Sequence, residues 1–495
     1  MYKKYLLSSF SSVLLCSVAS AVTVDCRPGQ LASLIDNPAQ VSELTLTGSA
    51  NAADFRFIEL SMPELRTLDL SQCTVAAYSG DAILGVSEFP AATIPQIIFA
   101  GAPFTSISLP ATEPLSIAAH AFTGSALTSV TIPANVTEIG GSAFAGSKNL
   151  KSVTLTKAAA GEYAFSECTA LENVNFGSTT SVGTNAFAGC TSLSVLEGTD
   201  GISNIGNQAF TNCTALEKFD FGTSLQSVGD NAFAYSGLTE ALLEDTKLTT
   251  VGNWAFAHCA SLAEASLPKT LTTAGEGIFF DCPKLSSLVL SEGMTALPDY
   301  ALKGDTTLAQ INLPSNLTSV GAYAMKDASE VSKLTLPSTL EYIGDYAMEG
   351  MTGLAEIDAN ALSAVPELGC EVWDGVNQDN VVLNVPEAIA DIFKTTEQWE
   401  EFDIRSIPTS ADNPQIDIAG ERSLRGRFEG TLLVLDASGT AIANVYLFDA
   451  AGRLLATAAP AASRTTIDTA SLNTEIFIVR CRLSDGSEST LKMAR

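Results

Sequence analysis

His258 and Cys259 bring a thiol and an imidazole side by side in the sequence. Such a pair can act as a catalytic dyad when the imidazole removes the proton of the thiol. Adjacent side chains on a short coil seldom point at each other, however, and Cys259 recurs as part of a repeat. We therefore expect no dyad. The other histidine, His120, lies six repeats away and is expected to be too far to share a site.

Five cysteines recur at one place in the repeat, three residues after an aromatic residue. They are Cys168, Cys190, Cys213, Cys259 and Cys282. The chain has no C-x-x-C element, so the spacing excludes a zinc knuckle, and small buried thiols are expected. Cys26 and Cys73 could link the N-terminal region, although nothing in the sequence requires that pair.

The charge of the chain argues against several classes of partner. Its 495 residues include 55 Asp and Glu against 26 Lys and Arg, a formal net charge of −29. Such a polyanion repels nucleic acids and anionic lipids, whereas basic proteins and cations stay open as partners. No phosphate-binding loop, dinucleotide fingerprint or nucleophile elbow is present. We predict no catalysis, no cofactor and no metal site.

Aromatic residues recur through the middle of the chain at intervals of 21 to 23 residues. They are Phe122, Phe144, Phe165, Phe187, Phe210, Phe233, Phe256 and Phe279, and the series continues through Leu302, Met325 and Met348. A glycine stands four residues before most of them, where we expect it to permit a backbone turn. Because one such unit cannot bury its own apolar face, the period indicates a solenoid with a buried, stacked aromatic row.

Each unit also contains a short segment in which apolar and polar residues alternate, as in Leu262-x-x-Ala265-x-Leu267-Pro268. The alternation predicts a strand with one buried face, which the proline ends. Side chains between the two buried positions should form a row along one face. The row consists of Thr131, Thr154, Asn175, Glu197, Asp220, Leu242, Ser266, Val289, Asn312, Thr335 and Asp358.

The unit Ile205–Leu216 has the order I-G-x-x-A-F-x-x-C-x-x-L. This pattern resembles the leucine-rich repeats of the BspA type, found in surface proteins of Bacteroides, Treponema and similar organisms. The resemblance covers about Leu115 to Pro366. It implies an α/β repeat solenoid with short strands, and a role in adhesion to host or bacterial partners.

The chain begins with features of a secretory signal peptide. Lys3 and Lys4 precede an apolar run that ends at Ala19-Ser20-Ala21, a recognisable cleavage site. We predict cleavage after Ala21 and export to the cell surface or the medium. No later stretch reaches the roughly 18 apolar residues that a membrane span needs.

Changes of pattern divide the chain into segments. We assign 1–21 to the signal peptide, 22–64 to an N-terminal cap, 65–380 to the solenoid, 381–405 to its C-terminal cap, 406–415 to a linker and 416–495 to a small β-sandwich. Trp399 and Phe402 are expected to lie in the core of the C-terminal cap.

The last segment resembles the C-terminal sorting domain of the type IX secretion pathway of Bacteroidetes. The resemblance rests on Thr465-x-Ile467-Asp468-x-x-x-Leu472. Residues 473–475, Asn-Thr-Glu, depart from that family, which usually has proline and glycine there. The resemblance implies a role in sorting, and a β-sandwich that only spaces the solenoid from the surface is the alternative.

The row of small polar side chains with an acidic centre suits contact with a protein or a glycan, host extracellular matrix among the candidates. We predict that Asn175, Glu197, Asp220, Ser266 and Asn312 bind this partner. Glu197 and Asp220, on neighbouring coils, should attract a basic segment. A structural spacer of the envelope without a ligand is the alternative, and a carbohydrate-active enzyme is a weaker one. The sequence does not specify an oligomeric state.

Overall fold

The computed structural model describes residues 20–407, 424–429, 431–437, 441–449, 453–470, 472, 476–484 and 488–494. The predicted signal peptide before Ser20 and the linker after Ile407 lie outside the described residues. One compact unit holds the chain up to Val385 together with Ile389–Arg405, and a second holds Pro386–Ala388 and the residues from Ser406 onward.

The N-terminal part of the first unit begins the solenoid. It contains β1 (Ser20–Cys26), β2 (Val41–Ala50), helix α1 (Ala52–Ser61), β3 (Thr67–Val75) and a hairpin of β4 (Tyr78–Ile83) and β5 (Val86–Phe89). Strands β1, β2 and β3 pair in parallel. Helix α1 starts at a capping box, in which the Asn51 side chain accepts from the Asp54 amide while the Asp54 carboxylate accepts from the Asn51 amide. This box satisfies amides that the first turn of a helix leaves unpaired.

The register of these strands separates Cys26 from Cys73. Cys26 pairs with Gly48 on β2, and Gly48 pairs with Cys73 on β3. Two strand spacings of about 4.8 Å each put the Cα atoms beyond the separation of about 7 Å that a disulfide can bridge. Both thiols are free. A disulfide between them, which the sequence left open, is incompatible with this geometry.

The repeats that follow are coils with up to two short strands each. In chain order the strands are β6 (Thr93–Ile94), β7 (Ser106–Ser108), β8 (Leu115–Ile117), β9 (Ser129–Ile132), β10 (Val136–Ile139), β11 (Ser152–Leu155), β12 (Asn173–Asn175), β13 (Ser181–Val182), β14 (Val195–Glu197), β15 (Asn204–Ile205), β16 (Ser227–Val228), β17 (Glu240–Leu242), β18 (Thr250–Val251), β19 (Glu264–Ser266), β20 (Thr273–Ala274), β21 (Ser287–Val289), β22 (Ala296–Leu297), β23 (Ser319–Val320), β24 (Lys333–Thr335), β25 (Tyr342–Ile343), β26 (Glu356–Asp358) and β27 (Glu367–Leu368).

These strands form two sides of the solenoid. The front sheet carries the predicted row and is built from β9, β11, β12 and β14, then β17, β19 and β21, then β24 and β26. The side sheet is built from β6, β8 and β10, then β13, β15, β16, β18 and β20, then β22, β23, β25 and β27. The strands of these coils pair in parallel, as stacking of successive coils requires.

The predicted aromatic row is confirmed. Rings from Phe122 to Phe279 are fully buried and stack with centroids 5.0–5.6 Å apart, and Leu302, Met325 and Met348 continue the buried series. The row extends further than the sequence indicated, because Phe99 stacks on Phe122 at 5.5 Å. Trp373 takes the corresponding place at the other end and is also buried.

The glycine four residues before each ring has a different role from the one expected. Gly140, Gly161 and Gly206 are absent from the residues with positive φ, so they do not need a left-handed turn. A Cβ at Gly161 would instead lie 2.0 Å from the carbonyl oxygen of Ile139, and one at Gly206 would lie 2.7 Å from the amide nitrogen of Thr184. Glycine is required because the backbones of successive coils approach too closely for a side chain.

The left-handed turns lie on either side of each ring, two residues before and two residues after it. Those before the ring are Ile97, His120, Ser142, Tyr163, Asn185, Gln208, Asn231, Trp254, Gly277, Tyr300, Tyr323, Tyr346 and Glu371. Those after it are Gly101, Gly124, Gly146, Glu167, Gly189, Asn212, Tyr235, His258, Asp281, Gly304, Asp327, Gly350 and Gly375. We call this side of the coils, between the side sheet and the front sheet, the turn edge.

Aromatic residues close both ends of the buried row. At the start, Phe55 of α1 packs on Phe99 with centroids 5.5 Å apart. At the end, β28 (Val382–Pro386), helix α2 (Ala390–Phe393) and β29 (Asp403–Ile407) follow the last coil. Trp399 is fully buried, lies 5.3 Å from Trp373 and donates its indole N–H to the carbonyl of Pro366 at 3.2 Å. Phe402 is also buried, so both residues pack in the core as expected.

The second unit contains two antiparallel sheets. Its strands are β30 (Leu424–Glu429), β31 (Leu432–Ala437), β32 (Ile442–Phe448), β33 (Leu454–Ala458), β34 (Arg464–Asp468), β35 (Ile476–Leu483) and β36 (Glu488–Ala494). Strands β30, β31 and β34 form one sheet, and β33, β32, β35 and β36 form the other. Apolar side chains of both, such as Leu433 and Phe477, share one core.

The predicted repeat solenoid with short strands is confirmed. Within the described residues, α-helix is confined to α1 and α2, near the two ends of the array, and the coils consist of strands and turns. In the same part of the chain no helix has the length and apolar character needed to cross a membrane.

Candidate functional site

The predicted row lies along the front sheet in register. Thr131, Thr154, Asn175 and Glu197 pair in sequence across four strands. Leu242, Ser266 and Val289 do so in the next sheet, and Thr335 and Asp358 in the third. The side chains of this row are exposed or half-buried, except for Ser266. The row is thus available to a partner over most of its length.

The row is interrupted twice. The coil of Asp220 and the coil of Asn312 have no strand at the front position, so the front sheet is divided into three sheets. Glu197 is on the last strand of the first sheet. Asp220 therefore does not lie on a strand paired with that of Glu197, although the two residues are on neighbouring coils.

Two of the five predicted binding residues already have partners on the row, and one is covered. The Asn175 amide donates to a Glu197 carboxylate oxygen at 2.6 Å. Ser266 is only 6% exposed, and its hydroxyl donates to the Glu244 carboxylate and accepts from the Leu243 amide. Ser266 is thus withdrawn from the face because the Glu244 side chain lies against it, which strand alternation alone could not reveal.

Ion pairs flank the row. Lys218 lies 3.5 Å from Glu240 on the next coil, and Lys333 lies 2.8 Å from Glu356. Solvent screens exposed pairs of this kind, so each contributes little to stability. They offset part of the negative charge beside the row and leave Asp220 as an exposed carboxylate for which no hydrogen bond is found within the described residues.

A cleft of about 460 Å³ opens at the second interruption. Asn312 and Thr335, two residues of the predicted row, line it together with Ser315 and Ser338, and the apolar part of its wall comes from Ile311, Leu313, Leu336, Pro337 and Ala361. Its size and its mixture of apolar walls with a few polar groups are typical of sites for a small ligand or for one residue of a longer one. Strand alternation gave no sign of this cleft, which lies at the coil of Asn312, where the front strand is missing.

His258 and Cys259 do not form a dyad. The Cys259 thiol is buried and donates to the Phe233 carbonyl of the preceding coil at 3.3 Å, whereas His258 Nδ1 lies 2.9 Å from Asp281 Oδ2. The other repeat cysteines bond in the same way, and burial raises the pKa of Cys168 and of Cys213 to about 12. A thiol with so high a pKa is a poor nucleophile, so Cys168 and Cys213 act as small core residues, as expected.

A second feature, which the sequence reasoning missed, lies on the turn edge. Six aromatic side chains of coils 235–346 are exposed or half-buried there; we call them the aromatic strip: Tyr235, Trp254, Phe280, Tyr300, Tyr323 and Tyr346. The last three rings stack with centroids 5.1 and 5.0 Å apart. A search at fixed offsets from the buried ring, rather than for apolar residues, would have found Tyr300, Tyr323 and Tyr346 two residues before it.

Among the described residues, no group of three or more His, Cys, Asp or Glu side chains is arranged to hold a metal ion.

Comparison with known proteins places these coils in a family. The model of the BspA-type leucine-rich-repeat region, in six copies, matches residues 92–197, 158–247, 180–309 and 242–355. Together these matches cover more than half of the chain. The chain belongs to the BspA-type leucine-rich-repeat family.

Solved structures with similar coils come from several bacteria. A leucine-rich repeat protein from Bacteroides ovatus is 20% identical over 74% of this chain and 86% of its own, with a TM-score of 0.48. A leucine-rich cell surface protein from Faecalibacterium prausnitzii is 20% identical over 59% of this chain and 87% of its own, with a TM-score of 0.32. The leucine-rich repeat protein of T. pallidum is 24% identical over 44% of this chain and 82% of its own, with a TM-score of 0.28. A search of curated proteins gives no match.

The BspA-type match ends at residue 355, and the buried row continues to Trp373. It begins at residue 92, shortly before the first buried ring of the row, Phe99. The predicted row of the front sheet, the cleft and the aromatic strip therefore all belong to BspA-type coils or directly adjoin them.

Proposed function

We propose that this protein is exported and recognises a protein or glycan partner through the front sheet of its BspA-type solenoid, in an adhesive role. The observation that carries the proposal is the cleft at the second interruption, because Asn312 and Thr335 line it and both belong to the predicted row. Membership of the BspA-type leucine-rich-repeat family supports a general role in interaction or adhesion.

The geometry supports a long contact surface that includes one cleft. The row of the front sheet runs over eleven coils, so a partner can contact several coils at once. Each polar contact then contributes only a small part of the binding free energy. The cleft gives one place where a side chain or a sugar can be enclosed. Asp220 adds an exposed carboxylate, which favours a partner with basic groups.

Export is part of the proposal. Strand β1 starts at Ser20, and cleavage after Ala21 would leave Val22–Cys26 of this strand. The two buried side chains of β1, Val24 and Cys26, would both be retained. The predicted cleavage is therefore compatible with the first strand of the solenoid. A sorting role for residues 416–495 belongs to the same proposal and rests on the resemblance of Thr465–Leu472 to the type IX sorting domain.

The binding proposal is tested by measuring binding of the whole labelled protein to matrix proteins, to bacterial cells and to a glycan array. Replacing Asn312 and Thr335 together by alanine is expected to weaken binding at least as much as any other pair of row substitutions. The matched control replaces Thr131 and Thr154 by alanine, at the far end of the row. The spacer hypothesis replaces this one if the protein binds none of the matrix proteins, cells or glycans. It also replaces this one if both double variants bind as the unmodified protein does.

A further inference from the structure

The aromatic strip is a second surface, separate from the front sheet, and its position in the coil is conformationally unfavourable for aromatic residues. Trp254, Tyr300, Tyr323 and Tyr346 all have φ between 56° and 60°. Bulky residues rarely adopt this left-handed conformation, for which Gly and Asn are better suited. Earlier coils use Asn at the same offset, as at Asn185 and Asn231. Backbone conformation therefore does not explain the presence of aromatic side chains at this position of the coil.

Neighbouring coils accommodate the rings. Gly277 occupies the offset between Trp254 and Tyr300, and a Cβ at Gly277 would lie 2.2 Å from Cε3 of Trp254. The Trp254 ring thus covers Gly277 and reaches Tyr300 two coils away, with centroids 5.8 Å apart. At the start of the strip, Tyr235 stacks on His258 at 4.4 Å and stays 50% exposed. The rings form one surface over six coils.

The basic side chains of this surface already have partners. Lys326 lies 2.6 Å from Glu349, and His258 lies 2.9 Å from Asp281. Lys303 has no carboxylate within 4.0 Å among the described residues, but its ammonium group lies 5.3–5.5 Å from the centroids of three rings of the strip. That is the geometry of a cation–π contact. These three side chains are thus already engaged, which leaves little to attract an anionic partner.

We propose that the aromatic strip binds a neutral polysaccharide laid across successive coils. Ring edges and exposed ring surface suit the C–H faces of sugars, and tyrosine hydroxyls both donate and accept hydrogen bonds, as sugar hydroxyls require. An anionic polysaccharide is disfavoured, because the chain carries a net charge of −29. A neutral one is not repelled.

The test uses the whole protein with soluble β-glucan, α-mannan and dextran as neutral probes, and polygalacturonate and polylysine as charged ones. Binding is followed by affinity electrophoresis and by tryptophan fluorescence. Of the three tryptophans, Trp254 is half-exposed while Trp373 and Trp399 are buried, so a spectral change on binding reports the strip. At least one neutral probe is expected to bind, with an affinity that does not change between low and high salt.

Replacing Tyr300 and Tyr323 together by alanine is expected to weaken that binding by about tenfold, because two of the stacked rings that would contact the sugar are removed. Tyr235→Ala, at the exposed end of the stack, provides a second variant if the first is unstable. The matched control is Tyr163→Ala: this tyrosine has the same offset and is 42% exposed, but it lies outside the strip.

The Asn312 and Thr335 variant separates this proposal from the proposed function, because it should leave binding of the neutral probe unchanged. The proposal is overturned if no neutral probe binds, if only polylysine binds and salt abolishes the binding, or if Tyr163→Ala weakens binding as much as the strip variants do.

Discussion

Asp305 occupies a buried position at which other coils have an uncharged residue. It stands three residues after the buried side chain of Leu302, where Cys282 and Ala328 stand in the adjacent coils. Its Oδ1 accepts from the Cys282 amide at 2.9 Å, and its buried Oδ2 has no partner. Burial raises the pKa of Asp305 well above its ordinary range. The folded protein therefore holds a proton on this carboxyl group that the unfolded chain releases.

The consequence is a stability that falls as the pH rises. A group whose folded pKa is raised contributes its full stability below the unfolded pKa, about 4 for Asp, and loses it as the pH rises through the folded pKa. The side chain in Asp305→Asn does not titrate. The thermal midpoint of this variant should therefore rise relative to that of the unmodified protein as the pH increases from 4 to 8. Asp245→Asn, at an exposed position, is the control and should show no such trend. A midpoint difference for Asp305→Asn that is independent of pH would contradict this.

Two kinds of glycine in the coil should respond differently to substitution. Gly206 has ordinary φ but no room for a Cβ, whereas Gly124 has φ 66° and nothing within 4 Å of the position of its Cβ. Gly206→Ala should cost about 1–3 kcal/mol, the usual effect of forcing an atom into a packed interior. Gly124→Asn should be nearly neutral, because Asn tolerates the left-handed region. Urea titrations of the two variants measure the difference, and an equal loss in both would contradict the role assigned to Gly206.

At the scale of elements, the stacked row should be the most sensitive part of the solenoid. Phe210 stacks on Phe187 and Phe233 at 5.5 and 5.3 Å. Phe210→Ala should cost about 3–5 kcal/mol, because neighbouring coils hold the cavity open. Phe210→Leu should cost less, since Leu302 fills the same place in another coil. Denaturation midpoints of both variants test this, and a mild effect of Phe210→Ala would argue against a continuous stack.

The sequence was sufficient to predict the coils but not the ways in which individual coils differ. Recurrence of Phe122 to Met348 fixed the stacking, because a residue that repeats at one place in every coil must meet its own copies. It could not locate the interruptions at Asp220 and Asn312, since those segments alternate as the others do. It also missed Phe99, the buried ring that stacks on Phe122.

The same holds for the candidate sites: features common to all coils could be predicted, whereas features of individual coils could not. Exposure of the row followed from strand alternation, but the burial of Ser266 depends on the Glu244 side chain of the preceding coil. The aromatic strip depends on left-handed turns two residues to either side of each ring. The turns were expected at the glycines four residues before each ring. That expectation was wrong because a glycine in a sequence can mark either a positive φ or a close backbone approach.

At the scale of the whole molecule, the first prediction concerns export. The mature protein is expected to begin at Val22, which N-terminal sequencing of protein recovered from the cell surface or the medium would establish. The strand β1 that follows supplies Val24 and Cys26 to the core, so cleavage after Cys26 would remove packed residues. An intact Met1 on protein that stays inside the cell would contradict export.

The last prediction concerns the acidic centre of the front sheet. Glu197 and Asp220 are exposed on neighbouring coils, and Asn175 holds the Glu197 carboxylate by one hydrogen bond, so both carboxylates can face a basic partner. Solvent screens them, and each contact with a basic group should contribute about 0.2–1 kcal/mol. Replacing both by lysine turns attraction into repulsion, so it should weaken a basic partner more than replacing both by alanine does. The thermal midpoint should change little.

The matched control is the pair Glu138→Lys and Glu162→Lys, which changes the net charge equally at exposed positions away from the front strands. Binding of the identified partner is measured at low and at high salt. If attraction at the front sheet drives binding, the Glu197 and Asp220 pair lowers the affinity several-fold more than the control pair at low salt, and the difference shrinks at high salt. Equal losses in both pairs would mean that the partner senses only the overall charge. No loss in either would mean that the acidic centre does not contribute to binding.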